Sequence, residues 1–361
     1  MTRWERLPDF PWDTLAPFAA IAREHADGAV DLSIGTPVDP TPQIARAALS
    51  QAADSPGYPT TIGVPELRAA AVDWMQRRLG APVDVGFLPS IGSKEAVASL
   101  PLQLGLSATD TMIIPAIAYP TYAVGGVVAG CNVEVTDQPE LVADATLAWI
   151  NSPGNPTGAV LSVERLREIV SWARRAGVTL VSDECYIELG WEAEPVSILD
   201  PRVNDGDLTG LLALHSLSKR SNLAGYRFGF IAGDPGLTAQ LLAVRKHLGL
   251  MVPSPVQQAA IACLLDDEHV HAQRALYAQR RTLLRSALET AGFHIDHSEA
   301  GLYLWASRDE DSWDSVRWCA QRGVIVTPGS FYGRAGERHI RVAITATDER
   351  VAAAAERLVA A

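Results

Sequence analysis

Apolar and polar positions along the chain repeat with two different periods between about residues 60 and 235. Helical spacing occurs in ELRAAAVDWMQRRLG, which ends at Gly80, and in SVERLREIVSWARRAG, where Ser162 fits an N-cap and Gly177 a stop signal. Between and after such helices come four short apolar runs: TMIIP (111–115), ATLAWIN (145–151), VTLVSD (178–183) and GLLALHS (210–216). This alternation predicts an α/β fold built on a mainly parallel sheet.

Length and composition add a size class to this prediction. With 361 residues, of which 48% are hydrophobic and 20% charged, the chain can bury a large core, and its length indicates two domains or one large domain with an appendage. The amino-terminal sequence MTRWERLPDFPWDTL has no continuous apolar segment, and no run elsewhere approaches the roughly 18 apolar residues of a membrane span. We therefore expect a protein that is neither exported nor inserted in a membrane.

Charge and cysteine content narrow the class of ligand. The formal net charge is −12, whereas nucleic acids and anionic membranes bind clustered lysine and arginine, which this sequence lacks. Cys131, Cys185, Cys263 and Cys319 lie far apart and form no Cys-x-x-Cys pair, which predicts neither a zinc site nor a disulfide framework. We expect a cytoplasmic protein with reduced thiols that binds a small molecule.

Polar and aromatic residues follow four of the predicted strands. Tyr119 follows TMIIP, Asn155 follows LAWIN, Asp183 ends VTLVSD, and Ser218 and Lys219 follow LLALHS. Ligands of such sheets bind beyond the carboxyl ends of the strands, so these side chains should converge at one edge. A lysine can bond to an aldehyde, a carboxylate can keep a pyridine nitrogen protonated, and an aromatic ring can stack on it. These are the groups that a pyridoxal phosphate site requires.

A phosphate group needs a helix amino terminus with hydroxyl groups or an arginine. The segment PSIGSKEAVASL provides small and hydroxyl residues directly before a helical pattern, and serines and an arginine flank the predicted lysine. The candidate phosphate ligands are Ser93, Lys94, Ser216, Ser218 and Arg227.

Each of these residues taken alone has a simpler explanation. A lone lysine such as Lys219 is usually at the surface, Asn155 before a proline usually belongs to a turn, and an arginine such as Arg341 usually forms an ion pair. His269 and His271 are two residues apart, which points their rings to different sides of a helix, so we predict no metal site there. The site is therefore inferred from the joint order of the segments.

Seven segments occur in an order that resembles the class I aminotransferases of the fold-type I, pyridoxal-phosphate-dependent family. They are GYPTTIG (57–63), IGSKE (91–95), AYPTY (118–122), NSPGNPTG (151–158), SDECY (182–186), SLSKRSNLAGYR (216–227) and HIRVAI (339–344). The resemblance covers nearly the whole chain. It implies a large cofactor-binding domain over residues 31–250, a small domain formed by residues 1–30 and 251–361, and a homodimer that acts on amino acids and keto acids.

The resemblance also implies a role for each residue of the site. Lys219 would bond covalently to pyridoxal 5′-phosphate, and Asp183 would be the partner of its pyridine nitrogen. Asn155 and Tyr186 would hydrogen-bond to the ring hydroxyl, and Tyr119 would stack on the ring. The phosphate would be surrounded by Ser93, Lys94, Ser216, Ser218 and Arg227, and Tyr58 would reach the phosphate of the neighbouring subunit. Arg341 would bind the substrate α-carboxylate, assisted by the backbone N–H of Gly35.

The resemblance also implies a particular substrate. The segments PAIAYPTYAVGG, SIGSKEAVASLP, SLSKRSNLAGYR and LPDFPWDTLAP are most similar to those of actinobacterial N-succinyldiaminopimelate aminotransferases (EC 2.6.1.17). This implies exchange of an amino group between glutamate or 2-oxoglutarate and a succinylated 2-amino-6-oxopimelate in lysine biosynthesis. The resemblance does not itself reveal which basic residue contacts the distal carboxylates, for which Lys94 and Arg220 are the candidates. The alternatives are an aspartate or aromatic aminotransferase, a carbon–sulfur β-lyase, and a regulator that senses the cofactor. The last is disfavoured because no winged-helix extension precedes residue 30.

Overall fold

The computed structural model describes residues 5, 7–8 and 11–360. The helices are α1 (Ala16–Arg23), α2 (Gln43–Gln51), α3 (Pro65–Leu79), α4 (Ser93–Gln103), α5 (Thr121–Ala129), α6 (Val163–Ala176), α7 (Pro201–Asn204), α8 (Leu217–Arg220), α9 (Pro235–Leu248), α10 (Ser254–Leu264), α11 (Glu268–Thr290), α12 (Ser312–Gln321) and α13 (Asp348–Val359). The strands are β1 (Val30–Asp31), β2 (Gly86–Ser90), β3 (Thr111–Ile114), β4 (Asn132–Val135), β5 (Ala145–Asn151), β6 (Thr179–Asp183), β7 (Leu211–Ser216), β8 (Gly229–Gly233), β9 (His294–Asp296), β10 (Tyr303–Ser307), β11 (Val324–Ile325), β12 (Thr327–Pro328) and β13 (His339–Ala343).

Seven strands form one large sheet in the order β2-β8-β7-β6-β5-β3-β4. Strand β8 runs antiparallel to both of its neighbours, and the pairs among β3, β4, β5, β6 and β7 are parallel. The four predicted apolar runs are β3, β5, β6 and β7. The predicted α/β fold with a mainly parallel sheet is therefore confirmed.

Both faces of the large sheet are covered by helices, which explains why its central strands are continuously apolar. In β5, Leu147 and Trp149 pack into a cluster with residues of α4 and α5. Their neighbours Ala148 and Ile150 point to the other face, into a cluster with residues of α3 and α6. Because side chains alternate between two buried faces, successive positions in the middle of such a strand are apolar.

The predicted ends of two helices are confirmed by their cap geometry. Helix α6 begins after Ser162, whose hydroxyl oxygen accepts a hydrogen bond of 3.2 Å from the backbone N–H of Arg165. Helices α3 and α6 end at Gly80 and Gly177, which have φ angles of 70° and 68°. A residue with a side chain pays a steric cost in this left-handed conformation, so glycine sets the point where each helix stops.

A second hydrophobic cluster surrounds a four-stranded antiparallel sheet in the order β12-β13-β10-β9. Trp305 is 1% exposed in this sheet. Strand β1 pairs in parallel with β11, which ties the amino-terminal part of the chain to its carboxyl-terminal part.

The domain bounds given above stay a prediction, and residues 1–4, 6, 9, 10 and 361 of the predicted small domain lie outside the described residues. Among the described helices, none has the length and apolar character that crossing a membrane requires.

Candidate active site

A cavity of about 580 Å³ lies where the ends of β6 and β7 meet Arg341 of β13. Every predicted site residue except Tyr58 and the candidate Arg220 contributes to its wall. Those residues are Gly35, Ser93, Lys94, Tyr119, Asn155, Asp183, Tyr186, Ser216, Ser218, Lys219, Arg227 and Arg341. Tyr58 lies instead in the loop between α2 and α3, where 96% of its surface is exposed. Among the predicted site residues, the cavity brings together groups up to 306 positions apart, from Gly35 to Arg341.

Asp183 is held at the end of β6 by two hydrogen bonds. The Tyr122 hydroxyl donates to Oδ2 at 2.8 Å, and the backbone N–H of Cys185 donates to Oδ1 at 3.2 Å. Burial raises the pKa of the Asp183 carboxyl. Within the described part of the chain this carboxylate has no ion pair with lysine or arginine. A protonated ring nitrogen would supply the positive charge that a buried carboxylate otherwise lacks.

Lys219 lies on α8, directly after β7, and its ammonium group donates a hydrogen bond to the carbonyl oxygen of Gly35. Burial lowers the pKa of Lys219, and the nearby positive charges of Arg341 and Arg227 act in the same direction. The neutral amine, which can act as a nucleophile or a base, is thus more accessible than in a surface lysine. The sequence contains only two other lysines, Lys94 and Lys246.

An anion-binding corner lies at the amino terminus of α4. Gly92 precedes the helix with φ 74°, and Ser93 and Lys94 are its first two residues. A Cβ atom on Gly92 would lie 2.3 Å from Nη2 of Arg227, so only glycine lets the guanidinium group approach this turn. Backbone N–H groups of the first helical turn, a hydroxyl and a guanidinium are together the groups that could hold a phosphate group.

Arg341 is 3% exposed and points into the cavity from β13. Its Nη1 donates to Oδ1 of Asn155 at 3.0 Å, and its Nη2 donates to the carbonyl oxygen of Ser33 at 2.5 Å. The guanidinium carbon lies 4.0 Å from the ring centre of Tyr303 and 5.0 Å from that of Tyr332. Among the described residues this buried cation has no carboxylate partner. A substrate carboxylate would provide the missing charge.

Two tyrosines of the site were not predicted to have a role. One is Tyr122, the donor to Asp183 described above. The other is Tyr303 of β10, which lines the cavity with its hydroxyl 3.3 Å from that of Tyr186. Burial acts to raise the pKa of Tyr303, but the positive charges of Arg341 and Lys219 outweigh it, and the pKa is lowered. Tyr303 is the second residue after Gly301 in a strand of the small sheet, and no local pattern marks it.

The prediction that Arg220 contacts a distal carboxylate of the substrate is wrong. Arg220 is 4% exposed and lines a separate cavity of about 10 Å³, where it forms an ion pair with Glu188. Its guanidinium carbon also lies 5.5 Å from the ring centre of Trp74. The positive charge of Arg220 is therefore balanced by the Glu188 carboxylate, away from the main cavity. Of the two candidates, only Lys94 lines the main cavity.

Two minor predictions concern histidines and cysteines. His269 contacts Asp266 at 2.5 Å through Nδ1 and the Ser221 hydroxyl at 2.8 Å through Nε2, so its ring holds a loop in place. The four cysteines are free thiols. Cys185 lies on the cavity wall, and burial raises its pKa well above the ordinary value, which makes it a poor nucleophile.

The donor set of the cavity fits pyridoxal 5′-phosphate. It offers a buried amine for the aldehyde, a buried acid that has no basic partner in the described part of the chain for the ring nitrogen, and the corner at the start of α4 for the phosphate. The volume of about 580 Å³ is in the range of cavities that hold small-molecule ligands.

Comparison with known sequences places these observations in a family. Residues 27–358 match the family described as "Aminotransferase class I and II". The chain is 55% identical to the 4-dedimethylamino-4-oxo-anhydrotetracycline transaminase OxyQ of Streptomyces rimosus, over 98% of this chain and 99% of that protein. It is 56% identical to the probable aminotransferase Rv1178 of Mycobacterium tuberculosis, over 98% and 85%. An LL-diaminopimelate aminotransferase of Dehalococcoides mccartyi is 33% identical, over 97% and 95%.

Solved structures of aminotransferases also resemble this chain in fold. An aminotransferase from Neisseria meningitidis superimposes with a TM-score of 0.92 at 30% identity, covering 99% of this chain and 98% of that chain. A probable N-succinyldiaminopimelate aminotransferase from Thermus thermophilus gives a TM-score of 0.86 at 27% identity, covering 96% and 99%. The predicted fold-type I architecture is therefore confirmed.

Proposed function

The chain belongs to the class I and II aminotransferases, and on that premise we propose that it exchanges an amino group between glutamate and a succinylated 2-amino-6-oxopimelate. The observation that carries the site assignment is the convergence of Lys219, Asp183 and Arg341 on one cavity. Enzymes of this family and fold depend on pyridoxal 5′-phosphate, which when bound withdraws electrons from the α-carbon of the substrate.

We assign the cofactor ring to five residues of the cavity wall. Lys219 bonds to the aldehyde carbon, and Asp183 accepts a hydrogen bond from the protonated ring nitrogen. Asn155 and Tyr186 hydrogen-bond to the ring hydroxyl, and Tyr119 stacks on the ring. The placement of all five on one cavity, three of them at or just beyond the ends of adjacent strands β5, β6 and β7, supports this assignment.

The phosphate is assigned to the corner at the start of α4. Its proposed ligands are Ser93, Lys94, Ser216, Ser218 and Arg227, all on the cavity wall. The aligned N–H groups of the first turn of α4 favour a negative charge at this position. Ser216 ends β7, and Ser218 and Lys219 follow it on α8, so one short segment would fix both the phosphate and the covalent link.

Lys219 is also the group that moves the proton. With pyridoxal phosphate bound, the free amine of Lys219 would accept a proton from the substrate α-carbon and would donate it to the cofactor carbon. Burial lowers the pKa of Lys219, which makes its neutral, proton-accepting form more accessible than that of an exposed lysine. Closure of the predicted small domain (1–30 and 251–361) over the large one (31–250) would keep water from this step.

Arg341 is assigned to the α-carboxylate of every amino donor. Its planar guanidinium can form two parallel hydrogen bonds with a carboxylate, and the aromatic ring of Tyr303 holds it in position. Gly35, predicted to assist through its N–H, also lines the cavity. A Cβ atom at this position would lie 2.3 Å from the Tyr303 hydroxyl oxygen, so a larger residue would displace that tyrosine.

A homodimer is part of the proposal because Tyr58 has no place in the cavity of its own chain. Its ring is 96% exposed in a loop, which is unusual for a large aromatic side chain. We assign it to the phosphate of a second copy of the chain. Tyr58→Phe should then weaken cofactor retention, and sedimentation of the wild type should give a dimer.

The choice of a long substrate is supported by the size and lining of the cavity. A volume of about 580 Å³ lies within the range of sites that hold drug-sized ligands. Lys94 lies on its wall and offers a positive charge for a distal carboxylate. Leu7, Pro8 and Trp12 provide an apolar surface against which the methylene chain of a pimelate can pack.

A second candidate function is amination of a ketone on a polycyclic ring. The apolar part of the cavity wall, formed by Leu7, Pro8, Trp12, Ile34 and Val124, would also accept flat carbocyclic rings. The high identity to OxyQ, whose name specifies an oxo-anhydrotetracycline substrate, supports this candidate.

The two candidate functions can be distinguished by measuring kcat/KM for half-reactions of the cofactor-loaded enzyme, each with a single amino donor. We expect a higher kcat/KM for N-succinyl-LL-diaminopimelate than for aspartate, phenylalanine or unmodified diaminopimelate. Lys94→Ala should erode this preference, whereas Lys246→Ala, at an exposed position on α9, should not.

Equal or better use of aspartate or phenylalanine would overturn the substrate proposal. Amination of an oxo-anhydrotetracycline would select the second candidate, and release of pyruvate and ammonia from cystathionine without a keto-acid acceptor would indicate a β-lyase.

A further inference from the structure

Outside the cavity, two histidines and a carboxylate meet on one face of the small sheet. His294 and Asp296 lie on the edge strand β9, and His339 begins β13, with β10 between these strands. In the register of the sheet, His294 and His339 both pair with Ser307, and Asp296 pairs with Trp305. Residues that pair across strands, and residues two apart along a strand, share a face. The three side chains therefore project from the same face.

The distances between the three groups are those of a metal site. Oδ2 of Asp296 lies 2.7 Å from Nε2 of His339 and 3.6 Å from Nε2 of His294. One ligand atom from each residue lies within 4.8 Å of the others. A tetrahedral ion with bonds of about 2.1 Å separates its ligand atoms by about 3.4 Å. Because the two distances to Asp296 lie on either side of this value, small side-chain rotations bring all three ligands onto one ion.

The surroundings favour an ion over a simple charge pair. Among the described residues, the ion pairs of Asp296 are with these two histidines, and no lysine or arginine competes for its carboxylate. The ring of His339 stacks on Trp305 at 4.8 Å with an interplanar angle of 3°, which fixes its orientation. The side chain of His294 is 48% exposed, so an ion can enter from solvent and keep water in its open positions.

We propose that His294, Asp296 and His339 bind a divalent transition-metal ion, with Zn²⁺ as the best match, and that water completes its coordination. Two imidazoles and one carboxylate form a set of zinc ligands that leaves a position open. The ion ties the edge strand β9 to β13. Arg341 follows His339 by two residues on the same strand and face, so the ion also anchors the strand that carries the proposed substrate ligand.

The test is zinc titration by calorimetry of the tag-free, cofactor-loaded protein after dialysis against a chelator. We expect one ion per chain, with binding weakened by about tenfold or more in His294→Ala and in Asp296→Asn. Zinc should raise the melting temperature of the wild type, because it binds the folded state, and at the same zinc concentration should raise that of either variant by less. The spectrum of added Co²⁺ should show nitrogen ligands that His294→Ala removes.

His297→Ala is the matched control. His297 is an exposed histidine next to Asp296, but its ring pairs with Glu299 at 3.9 Å and is not one of the three proposed ligands. It should bind zinc as the wild type does. Absence of stoichiometric zinc binding in the wild type, or equal zinc affinity in the wild type and His294→Ala, would overturn the proposal. Equal loss of affinity in His297→Ala would do the same.

Discussion

Replacing Arg341 with lysine tests how the site recognises its substrates. In the structure the guanidinium donates to Asn155 at 3.0 Å and to the Ser33 carbonyl at 2.5 Å, and it lies against Tyr303. Lysine keeps the positive charge but cannot form the two parallel bonds to a carboxylate. The variant should therefore bind cofactor normally and bind every amino donor more weakly.

The magnitude follows from the lost hydrogen bond. A hydrogen bond to a charged group contributes about 1.5–3 kcal/mol, and a tenfold change in affinity corresponds to about 1.4 kcal/mol. We expect kcat/KM for each donor to fall by about 10- to 100-fold in Arg341→Lys. Because the α-carboxylate is common to all amino acids, glutamate and the long substrate should be affected by the same factor.

The assay is the half-reaction of the purified holoenzyme with each donor, followed by the change in cofactor absorbance. Arg338→Lys is the matched control, since Arg338 is exposed just before β13 and donates to the Asp309 carbonyl rather than lining the cavity. A melting curve would verify that Arg341→Lys is folded. Unchanged kcat/KM for glutamate, or a loss confined to one donor, would refute the assignment of Arg341 to the α-carboxylate.

Three further predictions concern the cofactor ligands and stability. Lys219→Ala should abolish turnover and the yellow absorption of the purified protein, and retained colour with full activity would contradict the assignment. Asp183→Ala should retain cofactor but slow the single-turnover half-reaction by several orders of magnitude, because an unprotonated ring withdraws electrons poorly; near-normal rates would show that another group fills this role. Burial acts to raise the pKa of Asp39, but its hydrogen bonds to Arg280 outweigh this and hold the pKa below the ordinary 3.8. The stability from this pair is present above pH 3.8 and is lost as the pH falls through the folded-state pKa. Asp39→Asn should therefore be less stable than the wild type in urea unfolding at pH 7, and the difference should shrink in acid; a difference independent of pH would be evidence against this linkage.

The central strands of the large sheet were predictable because they are buried on both faces. A strand such as β5 is a continuous apolar run followed by turn residues, which the sequence shows directly. Strands β2 (Gly86–Ser90) and β8 (Gly229–Gly233) were not predicted, since their glycines and Pro89 weaken the strand pattern. They become strands by pairing with each other and with β7, a long-range effect that no local pattern reports.

The cavity wall was predictable for the same topological reason, because the ends of parallel strands meet at one edge. The small sheet was harder. Tyr303 reaches the cavity only through the packing of β10 beside β13, and the histidines of β9 and β13 meet only through the register of three strands. Arg220 was misplaced for a related reason. It is one residue from Lys219, but α8 turns it to the opposite side, towards Glu188.

The most direct test of the account is to locate the cofactor on the chain. Borohydride treatment of the holoprotein would fix the bond between pyridoxal phosphate and its lysine, and peptide mass mapping would identify that lysine. With three lysines in the sequence, the result is unambiguous. The account predicts the label on Lys219, the buried lysine of the cavity, and on neither of the others. A label on Lys94 or Lys246, or a holoprotein without any labelled lysine, would contradict it.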